Sequence, residues 1–264
     1  MYNAKDFANR DVSNLLICDY ATGAPFINLD YANVTTTELT GEVVYAYGGW
    51  GHPRKIAFSG DRGGTMTIET QIQETKLYKL ITGADVVSGS NDIQLAERTF
   101  VGLESTNKVF YLEKKPKADT TITIHKNGAA VDVTSLTVAE TATDAGKWKV
   151  TVVSAGLSDG DEIVAFYTNT AATSERIAVK ADTFPKAVII YADTWDKSPD
   201  DSIISQKMIV YKAVAQPNFS LSNQNTGDPV SLTMTFDLME DANHDILDLI
   251  FEDGKDTAAA YKRW

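Results

Sequence analysis

The stretch GGTMTIETQIQETKLYKLITG, residues 63–83, changes its apolar period from two to helical spacing within a few residues. In an extended chain its side chains divide into an inner set, Met66, Ile68, Thr70 and Ile72, and a polar set, Thr65, Thr67, Glu69, Gln71 and Gln73. This alternation predicts a strand that covers a core with one face and turns a polar surface outward with the other.

The second half of the same stretch predicts a short helix. From Glu74 onward, Leu77, Leu80 and Ile81 recur three or four residues apart. Gly83 follows where a helix C-terminus favours a residue that tolerates positive φ. The sequence therefore predicts a two-turn helix joined directly to the strand. We interpret the strand as one strand of a barrel that several subunits form together.

Outward from this stretch the chain is rich in β-branched and aromatic runs that end at Gly, Pro, Asp or Asn, which favours a mostly β protein. The predicted strands cover residues 41–49, 54–60, 64–73, 186–193, 206–222 and 229–240. A second helix is predicted over 241–254, with Ile246, Leu249 and Ile250 on one face and Gly254 as its stop.

Residues 108–172 have the features of a separate module, because short alternating segments are divided by turn signals such as Asn127-Gly128 and Asp159-Gly160. We predict a small inserted β-sandwich here, within a discontinuous domain made of 1–107 and 173–264. The insert holds seven Lys and eight Asp or Glu, net −1, so the rest of the chain carries −11 of the total of −12.

Charge and cysteine content exclude several classes of function. An acidic chain with 36 Asp and Glu against 24 Lys and Arg is a poor phosphate-backbone binder. Cys18 is the only cysteine, so no internal disulfide or thiolate cluster is available, and we expect it to be buried. The N-terminus lacks the pattern of a signal peptide and no apolar run approaches 18 residues, so we expect neither secretion by that route nor a membrane span.

No motif predicts catalysis, a cofactor or a metal. Asp241, Asn243, Asp245 and Glu252 match positions 1, 3, 5 and 12 of an EF-hand calcium loop, but Ile246 stands where the loop needs Gly. His52, His125 and His244 are far apart in sequence, and the acidic loop 191–202 holds four Asp residues that are typical of a solvated or interface loop. We therefore expect that the protein is not an enzyme.

A predicted hairpin over 217–240 carries a polar face that is almost free of charge. Its apolar face holds Phe219, Leu221, Val230, Leu232, Met234, Phe236 and Leu238, and its polar face holds Ser220, Ser222, Gln224, Ser231, Thr233 and Thr235. Soluble monomers usually protect exposed sheets with Lys and other charges at the edges. A hairpin without this protection favours edges that pair with neighbouring copies.

These segments resemble those of phage major tail tube proteins and their relatives in contractile injection systems. Residues 63–83 are similar to the strand and helix of that family, and PNFSLSNQNTGDPVSLTMTFDLMEDANHDILDLIFED, 217–253, is similar to its C-terminal hairpin, acidic turn and helix. The resemblance implies a β-sandwich subunit with a flanking helix, six copies per ring, and rings stacked into a hollow tube. An inserted immunoglobulin-like domain outside the tube occurs in some members.

The resemblance also implies partners and a place in the virion. DNA and the tape-measure protein would pass through the lumen without specific binding, and tail sheath, terminator and baseplate proteins would be neighbours of the tube. An acidic, small-polar lumen suits this role, because it repels phosphate. The lumen candidates are Glu69, Gln71, Ser220, Ser222, Thr233 and Thr235, and the inter-subunit candidates are Trp195 and Trp264.

Two other functions are compatible with the residues. One is a monomeric carbohydrate- or receptor-binding β-protein of a virion or cell surface, with aromatic side chains that stack on sugars and the insert as the binding module. The other, ranked last, is a hydrolase that uses the carboxylates of 191–202. Rings or rods would favour the tube, and a persistent monomer with affinity for sugars would favour the binding protein.

Overall fold

A computed structural model describes residues 6–140 and 146–253. Strands take up 59% of the residues and helix 3%, which confirms the predicted mostly β fold. The described chain divides into two compact units, one made of 6–86 with 177–253 and the other of 87–176. The second unit is wider than the predicted insert, because the long strands that flank 108–172 belong to its sheet.

The first unit is formed by both ends of the chain, and the second by the middle. The first unit begins with β1 (Ala8–Asn9), β2 (Asn14–Asp19), β3 (Pro25–Leu29), β4 (Ala32–Tyr47), β5 (Arg54–Thr70) and α1 (Thr75–Thr82). Next come β6 (Val86–Phe100), β7 (Gly102–Glu104), β8 (Asn107–Leu112), β9 (Thr123–Lys126), β10 (Ala129–Ala130), β11 (Ser135–Glu140), β12 (Trp148–Val153) and β13 (Glu162–Ile177). The first unit resumes with β14 (Ala187–Lys197), β15 (Ile203–Ala215), β16 (Leu232–Leu238) and β17 (Leu247–Asp253).

The first unit is built on one antiparallel sheet with the order β3-β2-β14-β15-β16-β5-β4, to which β1 adds beside β14 and β17 beside β15. Alternation decides which face of β5 is covered: Met66, Ile68 and Thr70 are fully buried, as predicted. Ile72, the fourth residue of the predicted inner set, lies past the end of β5 and is 58% exposed. Phe236 and Met234 on β16 lie on the same face and join the same core. The sheet therefore covers its core with one face and leaves the other face polar.

Helix α1 packs its predicted apolar face, Leu77, Leu80 and Ile81, into this core, and its observed bounds confirm the second half of the opening stretch. Gly83 ends the helix in the left-handed conformation, with φ 69°, and its N–H donates to the carbonyl of Lys79. A Cβ at Gly83 would lie 2.0 Å from the backbone oxygen of Phe184, so both the conformation and the space require glycine.

The second unit has two four-stranded sheets, β10-β9-β13-β6 and β11-β12-β8-β7. One apolar cluster contains residues of both sheets, including Ile124 and Ala165 from the first and Phe110 and Val150 from the second. This shared core makes the unit a β-sandwich. Alternation within 108–172 predicts eight inward side chains, which are Ile122, Ile124, Trp148, Val150, Val152, Ile163, Ala165 and Tyr167. Seven of them are buried, and Trp148 packs partly buried against the cluster.

Two predicted secondary-structure elements are absent. Residues 217–231 form no strand, so β15 and β16 pair only over Ala213–Ala215 and the long hairpin of 217–240 is absent. The helix predicted over 241–254 is also absent: 241–245 form a turn and β17 pairs with β15 from Val210 to Ile204. The spacing of Ile246, Leu249 and Ile250 fits a helix, but the run from Leu247 also alternates, and pairing with β15 satisfies its backbone.

No helix within 6–140 and 146–253 is long and apolar enough to span a bilayer.

Gly83→Ala and Gly23→Ala separate the cost of the backbone conformation from that of the close contact. Both glycines have nearly the same φ, 69° and 68°, but nothing lies within 4 Å of a Cβ at Gly23. We expect Gly23→Ala to lower the free energy of unfolding by about 1 kcal/mol. Gly83→Ala should cost a further ~2 kcal/mol or more through the clash with Phe184. Urea unfolding of both variants measures the difference, and equal losses would contradict this account of the helix end.

Candidate assembly surface

The outward face of the first unit's sheet is a polar surface shared by β4, β5 and β16. Glu69 on β5 lies opposite Thr233 on β16, and Thr67 lies opposite Thr235. Directly opposite residues share a face in an antiparallel pair. The structure thus brings together three of the predicted lumen residues, Glu69, Thr233 and Thr235, on what we call the polar face.

The other sequence-predicted positions lie elsewhere. Gln71 follows the end of β5, where its N–H donates to the side chain of Asn33. Ser220 and Ser222 are exposed in the irregular segment 217–231 and belong to no strand. Trp195 is half-buried on β14, where its carbonyl accepts a hydrogen bond from Asn9. Trp264 lies outside the described residues.

Residues of β4 extend the polar face in a way that the sequence reasoning missed. Thr36 lies opposite Thr67, and Glu38 lies opposite Thr65. Asp237 on β16 lies opposite Thr65 from the other side, so two more carboxylates join Glu69 on this surface. The β-branched run Val34-Thr35-Thr36-Thr37, which precedes the predicted strand 41–49, could have indicated the β4 residues. Asp237 continues the alternation of Thr233 and Thr235 in the predicted strand 229–240.

The far edge of β4 is open. Within the described residues β4 is the last strand of its sheet, 16 residues long, and its only partner is β5. It contains neither Lys, Arg nor Pro, and its only charges are Glu38 and Glu42. Long open edges usually carry such residues to prevent pairing between chains, so this edge is suited to pair with another copy.

The part of the β4–β5 hairpin that precedes Gly64 on β5 extends past the sheet, because β16 pairs with β5 only from Gly64 to Thr70. A register irregularity between Gly41 and Val43 separates the two parts. We call residues 43–59 the arm. It is a two-stranded ribbon, and among the described residues no third strand pairs with it.

Both faces of the arm expose apolar side chains. On one face Val44 lies opposite Phe58 and Ala46 opposite Ile56; the three larger side chains are all more than half exposed. The other face carries Tyr45, with the Arg54 guanidinium 4.2 Å from the centre of its ring. Isolated two-stranded ribbons are marginally stable, and contiguous exposed apolar patches mark interaction sites. The arm therefore has the features of an interaction surface.

The turn at the end of the arm, residues 48–53, presents a tryptophan. Gly49 and Gly51 take positive φ values of 83° and 86°, and the N–H of His52 donates to the carbonyl of Gly49. Trp50 between the two glycines is fully exposed. An aromatic side chain held at the end of a ribbon by a defined turn has the form of a contact anchor.

Residues 237–252 form an acidic segment with six Asp and Glu and neither Lys nor Arg. Its turn is organised by Asp241, whose Oδ1 accepts hydrogen bonds from the N–H groups of Asn243 and Asp245, at 2.8 and 2.9 Å. These bonds lower the pKa of Asp241. Asp241 therefore stabilises its own turn, not the first turn of a helix and not a calcium loop.

His244 and Tyr211 each pair with a carboxylate of the acidic segment. The Nδ1 of His244 lies 3.0 Å from Glu240, and this contact raises the pKa of the imidazole. The hydroxyl of Tyr211 on β15 donates to Asp248 on β17 at 2.6 Å, which raises the pKa of the tyrosine to about 12. The Tyr211 contact joins β17 of the segment to β15, and the His244 contact lies within the segment itself.

The described residues offer little for chemistry. Over 6–140 and 146–253 no group of three or more His, Cys, Asp or Glu side chains is placed to hold a metal ion. Cys18 is buried, as expected, and burial raises the pKa of its thiol. The predicted acidic loop 191–202 is wrong in its first half, because residues up to Lys197 belong to β14. There Asp196 is buried and accepts a hydrogen bond from Asn9 at 2.8 Å, and Asp200 in the turn beyond accepts from Ser202. These carboxylates organise the loop and the N-terminal strand.

The open edge of β4, the apolar arm and the polar face have the features of surfaces that contact other chains. Comparison with known proteins agrees: the model of the YomU/Tube protein family matches residues 9–249. The chain belongs to the YomU/Tube protein family. It is a structural protein of a phage tube and a component of the virion. No curated protein matches the chain.

The titration of Asp241 provides a test of the acidic turn. Because the fold lowers this pKa, its contribution to stability is present above the ordinary Asp range near pH 4 and is lost as the pH falls through the lowered value. Asp241→Asn keeps an acceptor oxygen but does not titrate. We expect the wild-type unfolding temperature to fall more between pH 7 and pH 3 than that of the variant, and equal falls would contradict the assignment.

Calcium should shift neither unfolding temperature, since two backbone N–H groups occupy Oδ1.

Proposed function

We propose that identical copies of this chain pair side by side through the open edge of β4 to form rings, and that the rings stack into a hollow tail tube. The single observation that carries the proposal is the open edge of β4, a strand of 16 residues that pairs only with β5 among the described residues and contains no Lys, Arg or Pro. Six copies per ring is the number that the resemblance to tail tube proteins implies. The polar face then lines a barrel that continues from copy to copy.

The chemistry of the polar face suits a conduit for DNA. Threonine hydroxyls alternate with Glu38, Glu69 and Asp237, and the first and third are exposed. Carboxylates repel the phosphate backbone, and short hydroxyl side chains offer it no positive charge. DNA and a tape-measure protein would pass along such a wall without being retained, and the ends and outside of the tube would meet terminator, baseplate and sheath proteins.

The second unit is assigned to the outside of this tube as an inserted immunoglobulin-like domain. Its two sheets close over their own core, so it needs no neighbour to bury its apolar residues. By contrast, the apolar side chains of the arm have no cover within their own unit. This difference supports assembly through the first unit and display of the second.

The run Thr35-Thr36-Thr37 in β4 allows a direct test of edge pairing. Successive N–H groups of a strand point to opposite edges, so proline at Thr36 and proline at Thr35 or Thr37 remove hydrogen bonds from opposite sides. One class of variant loses bonds to β5 and should unfold more easily. The other loses only N–H groups at the open edge, so we expect a folded monomer that forms no rings in negative-stain images.

Wild-type protein is the reference in this experiment, at matched concentrations and with unfolding temperature as the test of folding. A folded proline variant that assembles like the wild type would overturn the edge contact. A wild-type chain that remains a compact monomer at every concentration and binds sugars would overturn the tube in favour of the carbohydrate-binding alternative.

The lumen assignment has its own test. Glu38→Lys with Glu69→Lys places cations on the polar face, where they attract phosphate, so we expect intact tubes but slower DNA ejection from assembled phage. The control variant is Asp132→Lys with Glu140→Lys, which makes the same change in net charge at two exposed acids of the second unit. Phage assembled with this variant should eject DNA normally. Normal ejection by the Glu38 and Glu69 variant would count against the lumen.

A further inference from the structure

A groove of about 400 Å³ lies on the outer face of one sheet of the second unit. On β13, Ile163 and Ala165 point into the core, so Val164 and Phe166 point outward. His125 on β9 lies opposite Val164 and shares this face. The lining includes these three outward residues together with Arg98, Asn127 and Glu162, and we call the site the sheet groove. Its volume falls in the range of small-ligand sites, about 300–1,000 Å³.

The sheet groove offers an apolar surface to a ligand. Phe166 is 43% exposed, and Val164 beside it on the same strand is half-buried. The rings of His125 and Phe166 meet edge to face, with centres 5.1 Å apart and an angle of 81° between their planes. This contact restricts the rotation of the phenyl ring, so its position is set before a ligand arrives.

The polar groups of the sheet groove include both donors and acceptors of hydrogen bonds. Nε of Arg98 lies 3.3 Å from the carboxylate of Glu162 in an exposed ion pair. A guanidinium has five N–H groups and a carboxylate has about four lone-pair sites, so both retain capacity after pairing with each other. The exposed amide of Asn127 adds a carbonyl oxygen and an NH₂ group. The charges balance, and the hydrogen-bonding groups are mixed.

One polar atom in the lining of the sheet groove has no partner. Nδ1 of His125 is buried and makes no hydrogen bond in the part of the chain that the structure describes. Unpaired buried polar atoms are rare in folded proteins and cost free energy until a partner is supplied. A hydroxyl group that enters the groove beside the imidazole would supply this hydrogen bond.

The turn at one side of the sheet groove is held by contacts within the second unit. Asn127 and Gly128 have φ values of 50° and 82°, as in the tight turn of a β-hairpin. Nζ of Lys126 donates to Asp161 at 2.6 Å, and Asp161 also accepts from the N–H of Ser158. These bonds join the turn to the segment that leads into β13. The site is therefore largely formed before a ligand binds.

We propose that the sheet groove binds a neutral sugar. A sugar hydroxyl both donates and accepts, which matches the mixed groups of Arg98, Glu162 and Asn127. The C–H face of a sugar ring packs on Phe166 and removes its exposed apolar surface from water. An anionic ligand gains from Arg98 but is repelled by Glu162, so the groove does not favour charge. The inference goes beyond the proposed tube, because the second unit alone carries the whole groove.

Calorimetric titration of the full chain with trisaccharides tests the inference. The neutral probes are maltotriose, cellotriose, mannotriose and chitotriose, and the charged probe of similar size is trigalacturonate. We expect at least one neutral trisaccharide to bind at millimolar concentration, and about tenfold more tightly than trigalacturonate.

Two variants of the sheet groove should weaken this binding by about tenfold each. Phe166→Ala removes the apolar surface on which the sugar ring packs. Arg98→Gln with Glu162→Gln leaves the net charge unchanged but replaces both charged partners of the hydroxyl groups. Unfolding temperature checks that each variant is folded.

The matched controls lie in the first unit. Phe184→Ala removes a phenyl group that is 70% exposed. Lys79→Gln with Asp85→Asn removes an ion pair of 3.1 Å and also leaves the net charge unchanged. Both controls should bind the sugar like the wild type.

The outcomes separate this inference from the proposed tube. A wild-type chain that binds none of the neutral trisaccharides overturns the sugar site and leaves the tube standing. Binding that survives both groove variants, or that the controls weaken equally, places the sugar elsewhere and overturns the sheet groove. Tighter binding of trigalacturonate overturns the assignment to neutral sugars. Failure to form rings bears only on the proposed function, since the titration does not require assembly.

Discussion

The pairing of β4 with β5 is the interaction on which the rest of the structure depends. Over the sheet, β5 is held between β4 and β16, and Met66 and Ile68 are fully buried beneath it. Beyond Gly64 the same two strands continue without a third partner among the described residues. One continuous hairpin therefore anchors the core at one end and projects an uncovered ribbon at the other.

The sequence was most informative where local pattern and burial coincide. Residues 63–83 alternate and then switch to helical spacing, and the structure has β5 and α1 at those positions because one covered face imposes each period. The core of the second unit was also predictable, from Ile124 to Tyr167. Glu69, Thr233 and Thr235 were each predicted on the polar side of a strand, and the structure places them on one face of two paired strands.

The wrong predictions fall where backbone pairing is decided by distant strands. Residues 217–222 alternate as well as 63–70 do, but they form no strand. The further strand that pairs with β15, beside Ile204–Val210, is β17. Since the spacing favoured a helix for 247–253, the sequence did not indicate this extra strand. In a short apolar run, the same spacing of side chains fits a helix and a strand. Residues 247–253 form a strand because the free edge of β15 pairs with them.

The arm connects folding to assembly through the surface it leaves uncovered. Val44, Ile56 and Phe58 lie more than half exposed on a ribbon that gains little stability from its own two strands. Covering them in an assembly removes apolar area from water, which stabilises the assembled state relative to the free chain. The same substitutions that would make the monomer more soluble would remove this gain. In the proposed tube, part of the protein's stability therefore lies in contacts between copies.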